Sequence, residues 1–353
     1  MRFGPVPLAQ ALGGLLAHSA TTPMGRLPKG RILTDADLRA LAAADLTEVT
    51  VARLDPTDVA EDEAALRLAQ SLVPDPDAQG LRLTLPHSGR VNLVAARPGI
   101  VDLDASAILQ LNRVDPSITL ATLPRHARVA PGTLVATVKI ITYAVDSKSL
   151  LRAIAEALPL SVRPVTRPRA TLILTRATEP DKLAQKGREA IARRLTRLGM
   201  TLAETVRVPH HEAPLARAIA SARGDLILIL TGAATSDLQD TAPQALRLAG
   251  GQVQRFGMPV DPGNLLFLGH LGQTPVIGLP GCTRSPALNG ADWVLERLAC
   301  GLAVSNDDIA AMGVGGLLKE IPVRGEPRER KPNDDEPARS PVSKYPTEGS
   351  GEV

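Results

Sequence analysis

Two glycine-containing loops in the second half of the chain carry residue types suited to holding an anion. The first is Thr231-Gly232-Ala233-Ala234-Thr235-Ser236-Asp237-Leu238-Gln239-Asp240, which follows the apolar run Leu226 to Leu230 and precedes Pro243. The second is Gly278-Leu279-Pro280-Gly281-Cys282-Thr283-Arg284-Ser285-Pro286, straight after Pro275-Val276-Ile277. A strand that ends in Gly, Thr and Ser and then opens a helix offers free backbone N–H groups to a negative ligand. Two such loops in one domain point to a phosphorylated ligand. Thr231, Thr235 and Ser236 add hydroxyl donors, or else make ordinary turn hydrogen bonds. Gly232 and Gly281 permit close approach of a ligand to the backbone. Asp240 stands where the first loop gives way to a helix. Beside a phosphate it would hold a divalent cation such as Mg²⁺; its bland role is to cap the helix. Asp237 is a second acid by proximity, or a solvated turn residue.

Other candidates carry less. Asp261-Pro262-Gly263-Asn264 reads as a tight turn between strands. Ser285 lacks a nucleophile elbow and an obvious His–acid pair, which argues against a covalent serine mechanism. Cys282 reads as a small packing residue ahead of a nucleophile. His210 and His211 read as surface caps before a helix; His18, His87, His126 and His270 are scattered. The basic helix with Lys182, Lys186, Arg188, Arg193, Arg194 and Arg197 reads as a solvated face, with attraction of an anionic partner as a weaker role.

The elements around these loops follow from hydrophobic periodicity. Residues 1 to 165 read as a mixed α/β region. Thr34-Asp35-Ala36-Asp37 resembles a helix cap, opening a helix through Ala44. Glu48 to Leu54 alternates as a strand, and Asp58 to Leu72 reads as an amphipathic helix. Leu81 to Leu85, Arg90 to Val94 and Ile100 to Leu103 are short strands broken by Pro and Gly. Ala105 to Asn112 and Ser147 to Leu158 read as helices, with the β-rich Thr133 to Tyr143 between them. Arg163 to Arg169 reads as a Pro/Arg linker. Strand and helix then alternate from Thr171 to Cys300, with helices expected at Asp181–Leu198, Glu212–Ala222, Asp240–Leu248 and Ala287–Cys300. That order implies an α/β domain: a three-layer, mostly parallel sheet over residues 166–321 with helices on both faces. Ligands on such sheets sit at the carboxyl ends of the strands, where both loops lie. The tail, residues 322–353, is rich in Pro and charge and reads as disordered.

Composition narrows the function classes. Only 2% of residues are aromatic, so the core must be aliphatic and base-stacking platforms for nucleic acid are not expected. The net charge of +3 is too mild for a polyanion binder. Two cysteines, Cys282 and Cys300, make neither a disulfide framework nor a metal-ligand spacing, so a cytoplasmic setting is expected. No apolar run approaches the ~20 residues that span a bilayer, and Leu12 to Ala17 is a poor signal segment.

Three of these segments carry a family resemblance. Thr231-Gly232-x-x-Thr235 through Asp240-x-x-Pro243-x-Ala245 resembles the TGG-T-G…D-x-T-P-E-A signature of the molybdopterin-binding domain. That domain is shared by the molybdenum-cofactor proteins that adenylylate molybdopterin and insert molybdate. Met258-x-x-Asp261-Pro262-Gly263 resembles the M-x-P-G-K-P turn of the molybdate-inserting branch, and Gly278-Leu279-Pro280-Gly281-x-x-x-Ser285 resembles its G-L-P-G-N-P-V-S loop. The chain also looks like a molybdopterin-binding module that some bacteria fuse to a nucleotidyltransferase. The resemblance implies that Asp240 binds the metal; Asp237 is a candidate by proximity alone. It implies that Gly232, Thr235 and Ser285 contact molybdopterin, and that Pro262-Gly263 and Pro280-Gly281 shape the pocket. Three functions are compatible with it. One is Mg²⁺-dependent insertion of molybdate into adenylyl-molybdopterin. The second is a non-catalytic carrier serving a nucleotidyltransferase or a molybdoenzyme. The third is a nucleotide pyrophosphate hydrolase. The motif lysines flanking the P-G turn are here Asp261 and Asn264, and the second Gly of the first loop is Ala233; loss of the lysines favours the carrier. The resemblance is compatible with a homodimer, with no interface readable in the sequence.

Overall fold

The computed structural model describes residues 1–176 and 181–318, with backbone alone at Asp181. The tail expected at residues 322–353 lies outside the described residues. Among these, no helix is long and apolar enough to cross a membrane.

The first half is built from short antiparallel sheets. Strands β1 (Arg2–Pro7), β2 (Leu15–Leu16), β3 (Ala20–Thr22) and β4 (Gly25–Leu27) precede helix α1 (Asp35–Ala42) and strand β5 (Glu48–Arg53). The order β1-β5-β2 makes one sheet and β3-β4 a hairpin; Leu16, Leu33, Leu41 and Val51 fill the core between them. Thr34 caps α1 in a reciprocal box with Asp37, as its sequence implies.

Next come β6 (Asp58–Ala60), α2 (Glu61–Leu72), α3 (Pro76–Gln79), β7 (Leu81–Leu83), β8 (Arg90–Ala95), β9 (Gly99–Asp102), α4 (Ala105–Val114), β10 (Ile118–Thr122), β11 (Arg128–Val129), β12 (Leu134–Ile140), β13 (Ala144–Asp146), α5 (Ser147–Glu156) and β14 (Ser161–Pro164). The sheet β10-β12-β8-β7 shares a core with α2 and α5 through Leu68, Leu72, Leu93, Val138 and Leu150. The structure corrects two expectations in this region. The helix starts at Glu61, because Asp58–Ala60 pairs with β13 and the Asp58 carboxylate accepts the Asp55 N–H. The expected linker is half strand: Ser161–Pro164 pairs with β9 at the edge of a small sheet, a position where proline's missing N–H is harmless. The remainder is pinned, since the N–H groups of Thr166 and Arg167 both donate to the Ala299 carbonyl.

The second half comprises β15 (Arg169–Arg176), α6 (Asp181–Arg197), β16 (Thr201–Pro209), α7 (Glu212–Ser221), β17 (Leu226–Leu230), α8 (Thr241–Leu248), β18 (Gln252–Phe256), β19 (Phe267–Leu271), β20 (Thr274–Leu279), α9 (Gly290–Ala299) and α10 (Asn306–Ala311). The sheet order is β16-β15-β17-β20-β19-β18. The first four strands are parallel; β19 runs opposite to them, and β18, antiparallel to β19, restores their direction. Every residue of β17 is buried, as a central strand covered on both faces requires. Alternate residues supply the two faces. Leu172, Leu228 and Ile277 pack with Ile191 and Leu195 of α6 and Val294 and Leu298 of α9. Ile173, Ile227, Ile229 and Val276 pack with Leu215 and Ile219 of α7 and Leu246 of α8. This is the expected three-layer α/β arrangement. Gly278 is required in β20, since a Cβ there would lie 1.9 Å from the Phe267 ring.

Candidate functional site

Parallel pairing of β15, β17 and β20 puts three strand ends side by side: Leu174 opposite Leu230, and Leu230 opposite Leu279. The chain leaves β15 toward β16 on one side and returns to β17 on the other, so β15 and β17 flank the point where strand order reverses. A crevice at that point is the usual ligand position in open α/β sheets.

The first loop leaves β17 at Thr231, which is buried like Thr235. Gly232 does not offer its N–H freely, contrary to the sequence expectation: it donates to Thr175 Oγ1 at 2.9 Å. Thr175 Oγ1 also lies 2.8 Å from His210 Nδ1. His210 therefore belongs to this strand end rather than being a plain surface cap. Farther along, Asp240 caps α8. Its Oδ1 accepts from Thr241 N at 2.6 Å and its Oδ2 from Ser236 N at 3.0 Å. Asp237 is exposed and accepts from Gln239 N at 2.7 Å. Both acids sit in one turn, closed by Asp240 N to Asp237 O at 3.2 Å. Each carboxylate has acceptor capacity left over. Among the described residues no cluster of three or more His, Cys, Asp or Glu could hold a metal by itself. Mg²⁺ needs no such cluster: one or two carboxylates plus ligand phosphates suffice. Asp240, with Asp237 nearby, fits that donor set.

The second loop is built differently. Pro280 leads into a single 3-10 turn, Gly281–Arg284. Thr283 is fully buried and its hydroxyl donates to the Pro280 carbonyl at 2.7 Å. Ser285 is exposed; its Oγ accepts from Ala287 N at 3.3 Å. Arg194 of α6 reaches in from below. Its Nε donates to Asp292 Oδ1 at 2.6 Å, Nη1 to the Thr283 carbonyl at 2.9 Å, and Nη2 to the carbonyls of Ser285 and Ala287 at 2.8 and 2.9 Å. Arg194 is 7% exposed, so the reading of the whole basic helix as a solvated face fails at this residue. Cys282 is exposed rather than packed; its Sγ accepts from Nδ2 of the buried Asn289 at 3.0 Å. Cys300 is the packing cysteine: it is buried, and burial followed by the nearby Glu296 carboxylate pushes its pKa up to about 11.

The motifs converge. Arg284 Nη2 donates to the Thr231 carbonyl at 2.7 Å, tying the second loop to the first. The Asp261–Asn264 turn joins them through Gly290 N, which donates to the Pro262 carbonyl at 2.8 Å. Gly263 has φ +147°, and a Cβ on it would meet Gly290 N at 2.9 Å, so only glycine allows this approach. Asn289, which holds Cys282, caps α9 in a reciprocal box with Asp292. One helix start thus anchors both the P-G turn and the second loop. Sequence reasoning missed Thr175, Arg194 and Asn289. The Asn289-x-x-Asp292 spacing was a readable cap signal; nothing local marked Arg194.

Residues 172–299 match the family described as "Probable molybdopterin binding domain". No curated protein matches the chain. Among solved structures, the molybdopterin biosynthesis moea protein from Pyrococcus horikosii is 15% identical, over 85% of this chain and 75% of that one, with a TM-score of 0.29. MogA is 24% identical, over 37% of this chain and 92% of that one, with a TM-score of 0.25. NadC from Streptococcus pyogenes is 15% identical, over 55% and 82%, with a TM-score of 0.16. At these scores the structural likenesses carry no argument about activity, and the assignment rests on the family match. The second half of this chain contains a molybdopterin-binding domain of the kind found in molybdenum cofactor biosynthesis.

Proposed function

We propose that the carboxyl ends of β15, β17 and β20 bind molybdopterin by its phosphate, and that the protein acts as a molybdenumtransferase on adenylyl-molybdopterin. The observation that supports this reading is the convergence of three motifs, distant in sequence, through the Arg284–Thr231 and Gly290–Pro262 hydrogen bonds. Thr231, Gly232, Thr235 and Ser236 form one wall, Pro280, Gly281 and Ser285 the other, and Pro262-Gly263 closes the end. The 166–321 segment is the binding domain and residues 1–165 a separate region in this reading.

Asp240 is the residue with which Mg²⁺ would be held, with Asp237 as its neighbour. A bound Mg²⁺ supplies charge neutralisation at the phosphoanhydride of the adenylylated pterin. The chain's own part is positioning: capping by Asp240 fixes the turn, and the guanidinium of Arg284 brings positive charge beside Thr231 in place of the absent lysines. Catalysis by placement and charge stabilisation needs no protein nucleophile. Incubating the full chain with adenylyl-molybdopterin, Mg²⁺ and molybdate tests this. Steady AMP release, lost in Asp240→Ala, is expected.

A carrier role is the second reading, favoured by Asp261 and Asn264 standing where the motif has lysines. Tight binding of molybdopterin with no AMP release would select it. ADP-ribose cleavage would select the pyrophosphate hydrolase.

A further inference from the structure

A cleft of about 510 Å³ opens where the Pro124–Ala127 turn of the first half meets α9 and α10. Its walls include Arg125, His126, Trp293, Arg297, Asp308 and Met312. It shares no residue with the strand-end loops, so its ligand is independent of the function proposed for them. Its size is that of a small-molecule site.

Four features of the cleft bear on what it would hold. First, Nε of Arg297 is buried and has no hydrogen-bond partner among the described residues. A guanidinium N–H out of water without an acceptor is costly, and such groups in native proteins need an explanation. Second, Arg125 is only loosely paired, 3.5 Å from Asp102, whose closer partner is Arg163 at 2.8 Å. Asp308 is already engaged by Ser305, through its N–H and its hydroxyl at 2.7 Å each. Third, Trp293 is the chain's only tryptophan, and it stands partly exposed in a wall whose apolar surface also includes Ala127, Ala311 and Met312. Fourth, His126 adopts a left-handed backbone, φ 64°, a conformation that costs energy in a non-glycine residue and clusters at ligand sites. Its imidazole is kept neutral, with a pKa of about 4: burial lowers it first, then the charges of Arg297 and Arg125, against the opposing pull of Asp102 and Asp308. The field at the ring is thus net positive.

We propose that this cleft binds a small planar anion, an aromatic or heteroaromatic ring laid against Trp293 and carrying a carboxylate or phosphate that accepts from Arg297 and Arg125. An anion there lies against the half-buried Arg297 guanidinium, whose Nε is sealed off and whose other nitrogens are left to face it, and uses the loosely held Arg125, while stacking on an indole needs a flat partner.

Because Trp293 is the single indole, its fluorescence reports on this cleft directly. The full chain is titrated with phenyl phosphate as the probe, with inorganic phosphate in parallel. Phenyl phosphate is expected to change the emission saturably, with inorganic phosphate at least about tenfold weaker. Arg297→Gln and Arg125→Gln are each expected to weaken phenyl phosphate about tenfold or more, the loss of a charge-assisted hydrogen bond. Arg125 is the more exposed of the two, so its replacement leaves folding intact even if that of Arg297 does not. No saturable change up to millimolar phenyl phosphate, or unchanged affinity in Arg125→Gln, overturns the site. Equal affinity for inorganic phosphate overturns the planar part of the ligand.

Discussion

The first strand-end loop, Thr231–Asp240, is tied largely by its own residues: Asp240 takes the N–H groups of Ser236 and Thr241, and Asp237 that of Gln239. The second, Gly281–Ala287, is tied by a guanidinium that lies 91 residues before Ser285 and by an asparagine on the following helix cap. Local Asx-type bonds are worth little each and leave a loop exposed and adjustable. A buried arginine whose donors engage one carboxylate and three loop carbonyls fixes a backbone path. Side by side, the loops suit a ligand gripped from a rigid wall and closed upon from a yielding one. The ion pair at the root of the rigid wall links on to the first half. Asp292 holds Arg194, and one turn later on α9 Glu296 accepts from Arg128 of β11 at 2.8 Å.

Breaking the rigid wall should have the largest effect. Arg194→Met leaves Asp292 charged and buried and three loop carbonyls without their donor. Removing one partner of a buried pair costs about 3–5 kcal/mol, to be read from urea unfolding. Next comes Glu296. Burial pushes its pKa up from 4.5 to about 7, with the Asp292 carboxylate adding to that and the Arg128 guanidinium opposing it. The folded protein therefore binds a proton more tightly than the unfolded chain does. This contribution to stability is fully present below pH 4.5 and is lost as pH rises through 7. A tenfold difference in proton affinity is worth roughly 1.4 kcal/mol, so Glu296 contributes at most about 3.5 kcal/mol. His126, whose pKa burial lowers to about 4, contributes with the opposite sign over the same range, so the informative quantity is the difference between parent and Glu296→Gln. The parent's denaturant midpoint relative to that of the variant should fall between pH 4.5 and 8, and a difference that rises over that range would contradict the assignment.

Loss of a cap separates the two loops on a smaller scale. Asn289→Ala removes the α9 cap and the Cys282 contact, for about 1–2 kcal/mol. Asp240→Ala removes the α8 cap for about 1 kcal/mol, yet it should abolish AMP release if the proposed function holds. Asp240→Asn, which keeps the capping carbonyl, should restore the stability and not the activity. The smallest effect belongs to Cys282→Ser, within about 0.5 kcal/mol as for an exposed residue. Mass analysis after iodoacetamide treatment of the native protein should find Cys282 alkylated and Cys300 intact.

Much of this was legible because it is local. Strands Glu48–Arg53 and Leu226–Leu230 and the caps at Thr34 and Asp240 were visible in residue types a few positions apart. The elements that escaped reading are those whose stability comes from elsewhere. Asp58–Ala60 is a strand only because β13 lies beside it, and Ser161–Pro164 only because β9 does.

The sequence by itself determined that alternating strands and helices would form a layered α/β domain, that Gly- and Thr-rich loops would sit at strand ends, and that an acid would start α8. Those properties depend on neighbours within a turn or two. Only the tertiary structure decided that Gly232 gives its N–H to Thr175, that one arginine of a basic helix turns inward to hold the second loop, and that the start of α9 joins the second loop to the P-G turn. These are contacts between residues tens of positions apart. Whether a buried donor finds its acceptor there depends on how the layers stack, which no short stretch of sequence encodes.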